Sequence, residues 1–215
     1  MSNNYWLDAW QQGKIAFHQS TINQFLLFYF NQLNIKSNSR ILVPLCGKTS
    51  DMLWLHQQGH KITGVELSNI ACRDFFIEND LSYKLTIDNK FKRYGNDNIE
   101  LMCGDIFAFD DQCPFQMIYD RGALVAFPPI MRQEYVVLLT QLSMPGTILF
   151  LVAFESDCKP MCPPFPISYT EINDLFGHHF TIQQLKKQIV SEIPKNMLEH
   201  GCKKLFFSAY LFVRF

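Results

Sequence analysis

No apolar run in this sequence is long enough to cross a bilayer. The longest, Thr147–Phe154 and Leu205–Val213, fall far short of the roughly 20 residues a spanning helix needs. The first residues, Met1-Ser2-Asn3-Asn4-Tyr5-Trp6, place no basic patch before an apolar run, so a secretory signal is not expected. An excess of charge of one sign is also lacking. The 19 basic and 20 acidic residues leave a formal net charge of −1, which argues against a general binder of nucleic acid or membrane surfaces. Charged residues are scarce, at 18% against 48% hydrophobic, which excludes extended disorder. There is no internal repeat and no low-complexity linker, so the 215 residues read as a single domain, 1–215, with a sizeable core. A cytoplasmic monomer that handles small molecules is the expectation.

Cysteine is not lacking, but its pattern excludes two uses. The seven cysteines are odd in number and mostly sit inside apolar runs, as reduced, buried thiols of a cytosolic protein do. Cys158 and Cys162 have a spacing that suggests metal, but no second Cys/His pair accompanies them, and no metal is expected.

Several signals are present. Arg40–Leu45 reads as a short buried strand, followed by the turn Cys46-Gly47-Lys48-Thr49 and a helix over Ser50–Gln58 that Gly59 stops. Lys61–Leu67 reads as a second buried strand ending at Glu66, and Ser68 is placed to cap a helix over Asn69–Asn79. A strand, a glycine turn, a helix and a strand closing on a carboxylate about 20 residues past the glycine form a nucleoside-binding half of a doubly wound sheet, with the acid set to grip ribose hydroxyls. Upstream, Thr21–Leu33 has helical spacing, with Ser20 or Thr21 as cap. Tyr5–Gln19 carries aromatics without a clean period.

Further strands are expected at Ile99–Cys103, Phe115–Tyr119 and Thr147–Phe154, with a helix from Pro128-Pro129 to about Leu142 and a turn at Pro145-Gly146. After a proline-rich loop, a short helix over Thr170–Phe176 precedes strands at Phe180–Lys187 and Lys203–Phe212. No crossover helix separates that last pair, so they should run antiparallel. The expected fold class is therefore α/β: a mostly parallel seven-stranded sheet with an antiparallel C-terminal strand pair and helices on both faces. That is the arrangement of the Rossmann-like methyltransferase sandwich.

The glycine turn admits two ligands. Gly47-Lys48-Thr49 after a strand is the end of a nucleotide-triphosphate loop, and Asp120 could then hold magnesium. That motif also needs glycine where Leu42 stands and free N–H groups where Pro44 has none. A sulfonium cofactor has no phosphates and needs only a close backbone approach at Leu45–Gly47, a ribose acid, and electron-rich surroundings. Trp6, Trp10 and Phe17 could provide the last, and Asp105 is placed to meet adenine. A non-enzymatic cofactor-binding module is a third possibility.

The strings Trp6-Leu7-Asp8-Ala9-Trp10, Gly13–Gln19, Val43-Pro44-Leu45-Cys46-Gly47-Lys48, Gly64-Val65-Glu66-Leu67-Ser68 and Tyr119–Ala126 run in order along nearly the whole chain. So do Pro163-Pro164-Phe165 and Glu171–Gly177, and together they resemble the thiopurine S-methyltransferase family. The resemblance implies an S-adenosylmethionine-dependent enzyme of a detoxifying type, methylating the thiol sulfur of an aromatic or heterocyclic acceptor and releasing S-adenosylhomocysteine. Inorganic selenium or tellurium acceptors are the alternative. It further implies that residues 1–35 cap the cofactor site. Trp6 and Trp10 would cover the cofactor, and Leu45 and Gly47 would approach it by backbone. Glu66 would hold the ribose, Asp105 and Ile106 would frame adenine, and Arg121 would touch both cofactor and acceptor. Phe17 would border the acceptor, and His18 is a candidate proton acceptor. Cys162 stands where the family usually has glycine before Pro-Pro-Phe.

Overall fold

A computed structural model describes residues 4–88, 90–158, 163–199 and 201–215. Cys162 and the first three residues of the expected cap lie outside them, so the Cys158/Cys162 spacing is not addressed. The chain divides into two compact units, Met1–Ile118 and Tyr119–Phe215.

The first unit begins with helices α1 (Asn4–Gln11) and α2 (Gln24–Tyr29), the latter continued by a 3-10 turn, Phe30–Leu33. Next come β1 (Arg40–Pro44), α3 (Ser50–Gln57), β2 (Lys61–Glu66), α4 (Asn69–Glu78), β3 (Lys84–Ile87), β4 (Lys92–Gly95) and β5 (Ile99–Cys103). The strand β6 (Phe115–Arg121) starts in this unit and ends in the next. The strand order is β3-β4-β5-β2-β1-β6. β1 pairs in parallel with β2 and β6, and β2 in parallel with β5. Ile41, Leu42 and Val43 on β1 are buried, as are Ile62 and Val65 on β2, which is the near-continuous apolar run of interior parallel strands. Gly64 is needed at its place on β2: a Cβ there would come within 2.5 Å of Leu101 and 2.7 Å of the Cys46 sulfur.

The second unit holds α5 (Ala123–Ala126), α6 (Pro129–Gln141), β7 (Ser143–Ser156), α7 (Tyr169–Phe176), β8 (Phe180–Ile189), α8 (Lys195–Glu199) and β9 (Leu205–Arg214). Its strand order is β7-β9-β8; β8 and β9 pair antiparallel, as expected for the last two strands, and β7 pairs antiparallel with β9 as well. Phe150, Phe176, Phe180, Tyr210 and Phe212 form its aromatic core. Arg132 is fully buried there. Its guanidinium pairs with Glu171 at 2.6 Å and donates to the carbonyls of Phe127, Phe165 and Pro166, so every face of the charge is met.

The sheet is the expected α/β arrangement with one correction: among the described residues it has nine strands, not seven. The two additional strands form the β3–β4 hairpin. All four residues of β3 are exposed, and its charged, half-apolar sequence offers no buried face for a period-2 pattern to mark. Three smaller expectations also change. The cap of α2 is Asn23, whose side chain accepts from the N–H groups of Phe25 and Leu26, not Ser20 or Thr21. Tyr5–Gln19 includes a helix, α1, that buries only Trp10. β7 begins at Ser143, so Pro145-Gly146 lies inside the strand span. Among the described residues, no helix is long and apolar enough to cross a membrane.

Candidate active site

Parallel pairing brings the carboxyl ends of β1, β2 and β5 to one edge: Pro44 stands beside Val65, and Glu66 beside Cys103. The chain leaving β1 there turns sharply. Leu45 has φ +46° and Gly47 φ +54°, and Cys46 N–H returns to the Val65 carbonyl at 3.1 Å. A left-handed backbone costs a leucine about 1–2 kcal/mol, and such strain collects at functional turns. Thr49 ends the turn by capping α3, its hydroxyl accepting Asp51 N–H at 3.3 Å.

Glu66 is folded into this turn. One carboxylate oxygen accepts Gly47 N–H at 2.9 Å, and the other accepts Ser68 N–H at 2.7 Å. Burial pushes the Glu66 carboxyl above its ordinary range, while N–H bonds from Ser68, Gly47 and Leu67 pull it back toward the charged form. The two oxygens offer more lone-pair sites than these three N–H donors use, which leaves room for a hydroxyl donor. The Glu66 carbonyl accepts Gly104 N–H at 2.9 Å, which ties the end of β5 to the same edge. Just beyond, the Asp105 side chain caps the 3-10 turn Ile106–Ala108 by accepting Phe107 N–H at 3.0 Å, and Ile106 is buried.

Aromatic rings cover the turn. Trp10 is buried with its indole against Gly47, where a Cβ would sit 3.2 Å from its ring carbon Cζ2. Phe17 meets both Trp10 (5.7 Å) and Trp6 (5.3 Å) edge to face, and it is itself 40% exposed. His18 follows it, half-buried, with its backbone N–H on the Ile15 carbonyl at 2.8 Å.

The first unit thus brings together Trp6, Trp10, Phe17, Gly47 and Glu66, with Leu45 in the same turn and Asp105 and Ile106 at the adjoining strand end. The remaining predicted residue, Arg121, closes β6 and is half-buried. Its neighbour Asp120 is resolved as structural. The Asp120 carboxylate is buried, takes the Tyr135 hydroxyl at 2.9 Å, and accepts the N–H groups of Ala123 and Leu124 at the start of α5. Burial raises it to about 6. Sequence reasoning gave Tyr135 no role, since its position on α6 marks only a core face.

Lys48, the residue that invited the phosphate reading, sits 2.5 Å from Glu78 on α4. Leu42 is a buried strand residue. Sequence reasoning also missed two residues at this edge. The Cys103 thiol donates to the Leu67 carbonyl at 3.7 Å, and its interaction with the Cys72 thiol holds Cys103 below and Cys72 above the usual thiol range. The Asp51 carboxylate accepts Asn23 N–H at 2.8 Å.

An acid with spare lone pairs, a backbone turn open to close approach, and an aromatic cover suit an adenosine-bearing sulfonium. Comparison with known proteins agrees. The family model described as thiopurine S-methyltransferase (TPMT) matches residues 1–214. The thiopurine S-methyltransferase of Marinobacter nauticus is 37% identical over 198 residues, covering 90% of each chain. That of Nitrosospira multiformis is 37% identical over 215 residues, covering 98% of this chain and 97% of the relative. Among solved structures, the Burkholderia thailandensis 1,6-didemethyltoxoflavin-N1-methyltransferase, with its substrate and S-adenosylhomocysteine bound, shares the fold with a TM-score of 0.69. It is 15% identical and covers 99% of this chain and 87% of that one. The chain belongs to the thiopurine S-methyltransferase family and is an S-adenosylmethionine-dependent methyltransferase.

Proposed function

We propose that the whole chain acts as one methyltransferase domain on the thiol sulfur of an aromatic or heterocyclic small molecule. The observation that carries this reading is the Glu66 carboxylate, held at the carboxyl edge by Gly47 and Ser68 N–H groups beneath an aromatic cover. In this assignment Glu66 holds the ribose, Leu45 and Gly47 approach by backbone, Asp105 and Ile106 frame adenine, and residues 4–35 form the cap. When bound, S-adenosylmethionine supplies an electrophilic methyl group on a positively charged sulfur. Trp6 and Trp10 would cover it, excluding water and offering aromatic rings to its positive charge. Phe17, partly exposed and set edge to face against both tryptophans, offers an apolar wall to an aromatic acceptor.

An acceptor thiol reacts as its thiolate, and heteroaromatic thiols ionise readily, so a strong general base is not required. Arg121 steadies the anion by charge-assisted hydrogen bonding, and His18 takes the proton where the acceptor arrives neutral. Holding the reactants in place is the main contribution, worth up to roughly 7–11 kcal/mol in favourable systems.

The Lys48–Glu78 pair and the strand position of Leu42 weigh against a nucleotide-triphosphate loop. Methyl-transfer assays across 6-mercaptopurine, thiophenol, selenite and tellurite test the acceptor assignment. Turnover of the aromatic thiols is expected to exceed that of the oxyanions, and the reverse order would move the assignment to inorganic acceptors.

A further inference from the structure

Residues 11–22, which carry Phe17 and His18, are fastened at both ends to one stretch, Cys46–Asp51. At the upstream end the Trp10 ring rests on Gly47. At the downstream end the Asp51 carboxylate accepts the backbone N–H of Asn23 at 2.8 Å, and the Ser50 hydroxyl donates to the Ser20 carbonyl at 3.5 Å. Asp51 is 1% exposed and lies in the first turn of α3, where the helix dipole favours a negative charge. Thr49 already caps that helix, so the Asp51 carboxylate oxygen on Asn23 is directed at the strap. Asn23 in turn caps α2, so the strap enters that helix at a fixed angle.

We propose that Asp51 is a positioning residue for methyl transfer: through Asn23 it sets the course of residues 11–22 and hence the placement of Phe17, governing acceptor binding more than cofactor binding. The inference rests on the assignment of Phe17 to the acceptor wall. A charge-assisted bond from a buried carboxylate to a backbone N–H is among the stronger ties available to a loop. The Ser50 bond beside it is neutral and long, and so the weaker of the two ties.

The test is a cycle of Asp51→Ala, Asp51→Asn, Phe17→Ala and the double variant Asp51→Ala/Phe17→Ala. S-adenosylhomocysteine affinity is measured by titration, and kcat and KM are measured for 6-mercaptopurine at saturating cofactor. Asp51→Ala should raise the acceptor KM about 10-fold, the scale of one lost charge-assisted bond, with cofactor affinity within about threefold of wild type. Asp51→Asn keeps an oxygen for Asn23 N–H and should stay near wild type. In the Phe17→Ala background, Asp51→Ala should add little more. Independent multiplication of the two effects, or equal loss of cofactor and acceptor affinity in Asp51→Ala, would overturn the proposal. Ser168→Ala, which removes the cap of α7, controls for a general loss of stability and should leave the acceptor KM unchanged. Ser50→Ala should raise it by a smaller factor than Asp51→Ala, and it carries the test if Asp51→Ala does not fold; no change there would then count against the strap. An unchanged KM in Phe17→Ala would instead refute the acceptor wall, and an unchanged KM in Asp51→Ala alone would refute the anchor.

Discussion

The Tyr135 hydroxyl donates to the Asp120 carboxylate at 2.9 Å, and both side chains are buried in the second unit. With two α5 N–H groups on the same carboxylate, this bond fixes the residue immediately before Arg121. Burial outweighs these donors and raises Asp120 from 3.8 to about 6. A carboxyl raised on folding stabilises fully below its unfolded value, and that contribution fades as pH rises through the folded value. The gap is worth about 3 kcal/mol. Urea unfolding from pH 4 to 7 should therefore show wild type losing stability relative to Asp120→Asn as pH rises. Parallel curves for the two proteins would refute the buried assignment.

The Arg132 guanidinium is fully buried, with Glu171 and three carbonyls as its partners. Arg132→Ala strands those acceptors and should cost about 3–5 kcal/mol in the urea midpoint analysis. A loss under about 1 kcal/mol would mean that water replaces the side chain there.

Gly47 combines a positive φ with a Trp10 ring carbon 3.2 Å from where its Cβ would be. Gly47→Ala should cost about 1–2 kcal/mol from the backbone alone. It should also displace Trp10, read as a red shift in tryptophan emission and weaker S-adenosylhomocysteine binding. Emission and affinity both unchanged would show that the ring is not seated on the turn.

The legible parts of this protein were those buried on both faces. Ile41–Val43 and Ile62–Val65 announce strands because the interior strands of a parallel sheet tolerate little but apolar side chains. Ser68 and Thr49 stand where helices must start, and Glu66 closes its strand about 20 residues past the glycine turn, the spacing that marks a nucleoside-binding half. The β3–β4 hairpin escaped notice because Leu85 and Ile87 are exposed and carry no inward periodicity. Helix α1 escaped because only Trp10 among its residues is buried. The Asn23–Asp51 tie joins residues 28 apart, and no local pattern encodes it. Asp120, which the phosphate reading would make a magnesium ligand, is instead held by Tyr135 from α6, a pairing no local pattern encodes.

The central claim is that Glu66 grips the ribose of the cofactor, and titration of S-adenosylhomocysteine into wild type and Glu66→Ala tests it most directly. Wild type should bind in the micromolar range or tighter, and Glu66→Ala about 10- to 100-fold more weakly, as expected for losing hydrogen bonds to a charged acceptor. Equal affinity in the two proteins, with Glu66→Ala still folded, would contradict the account.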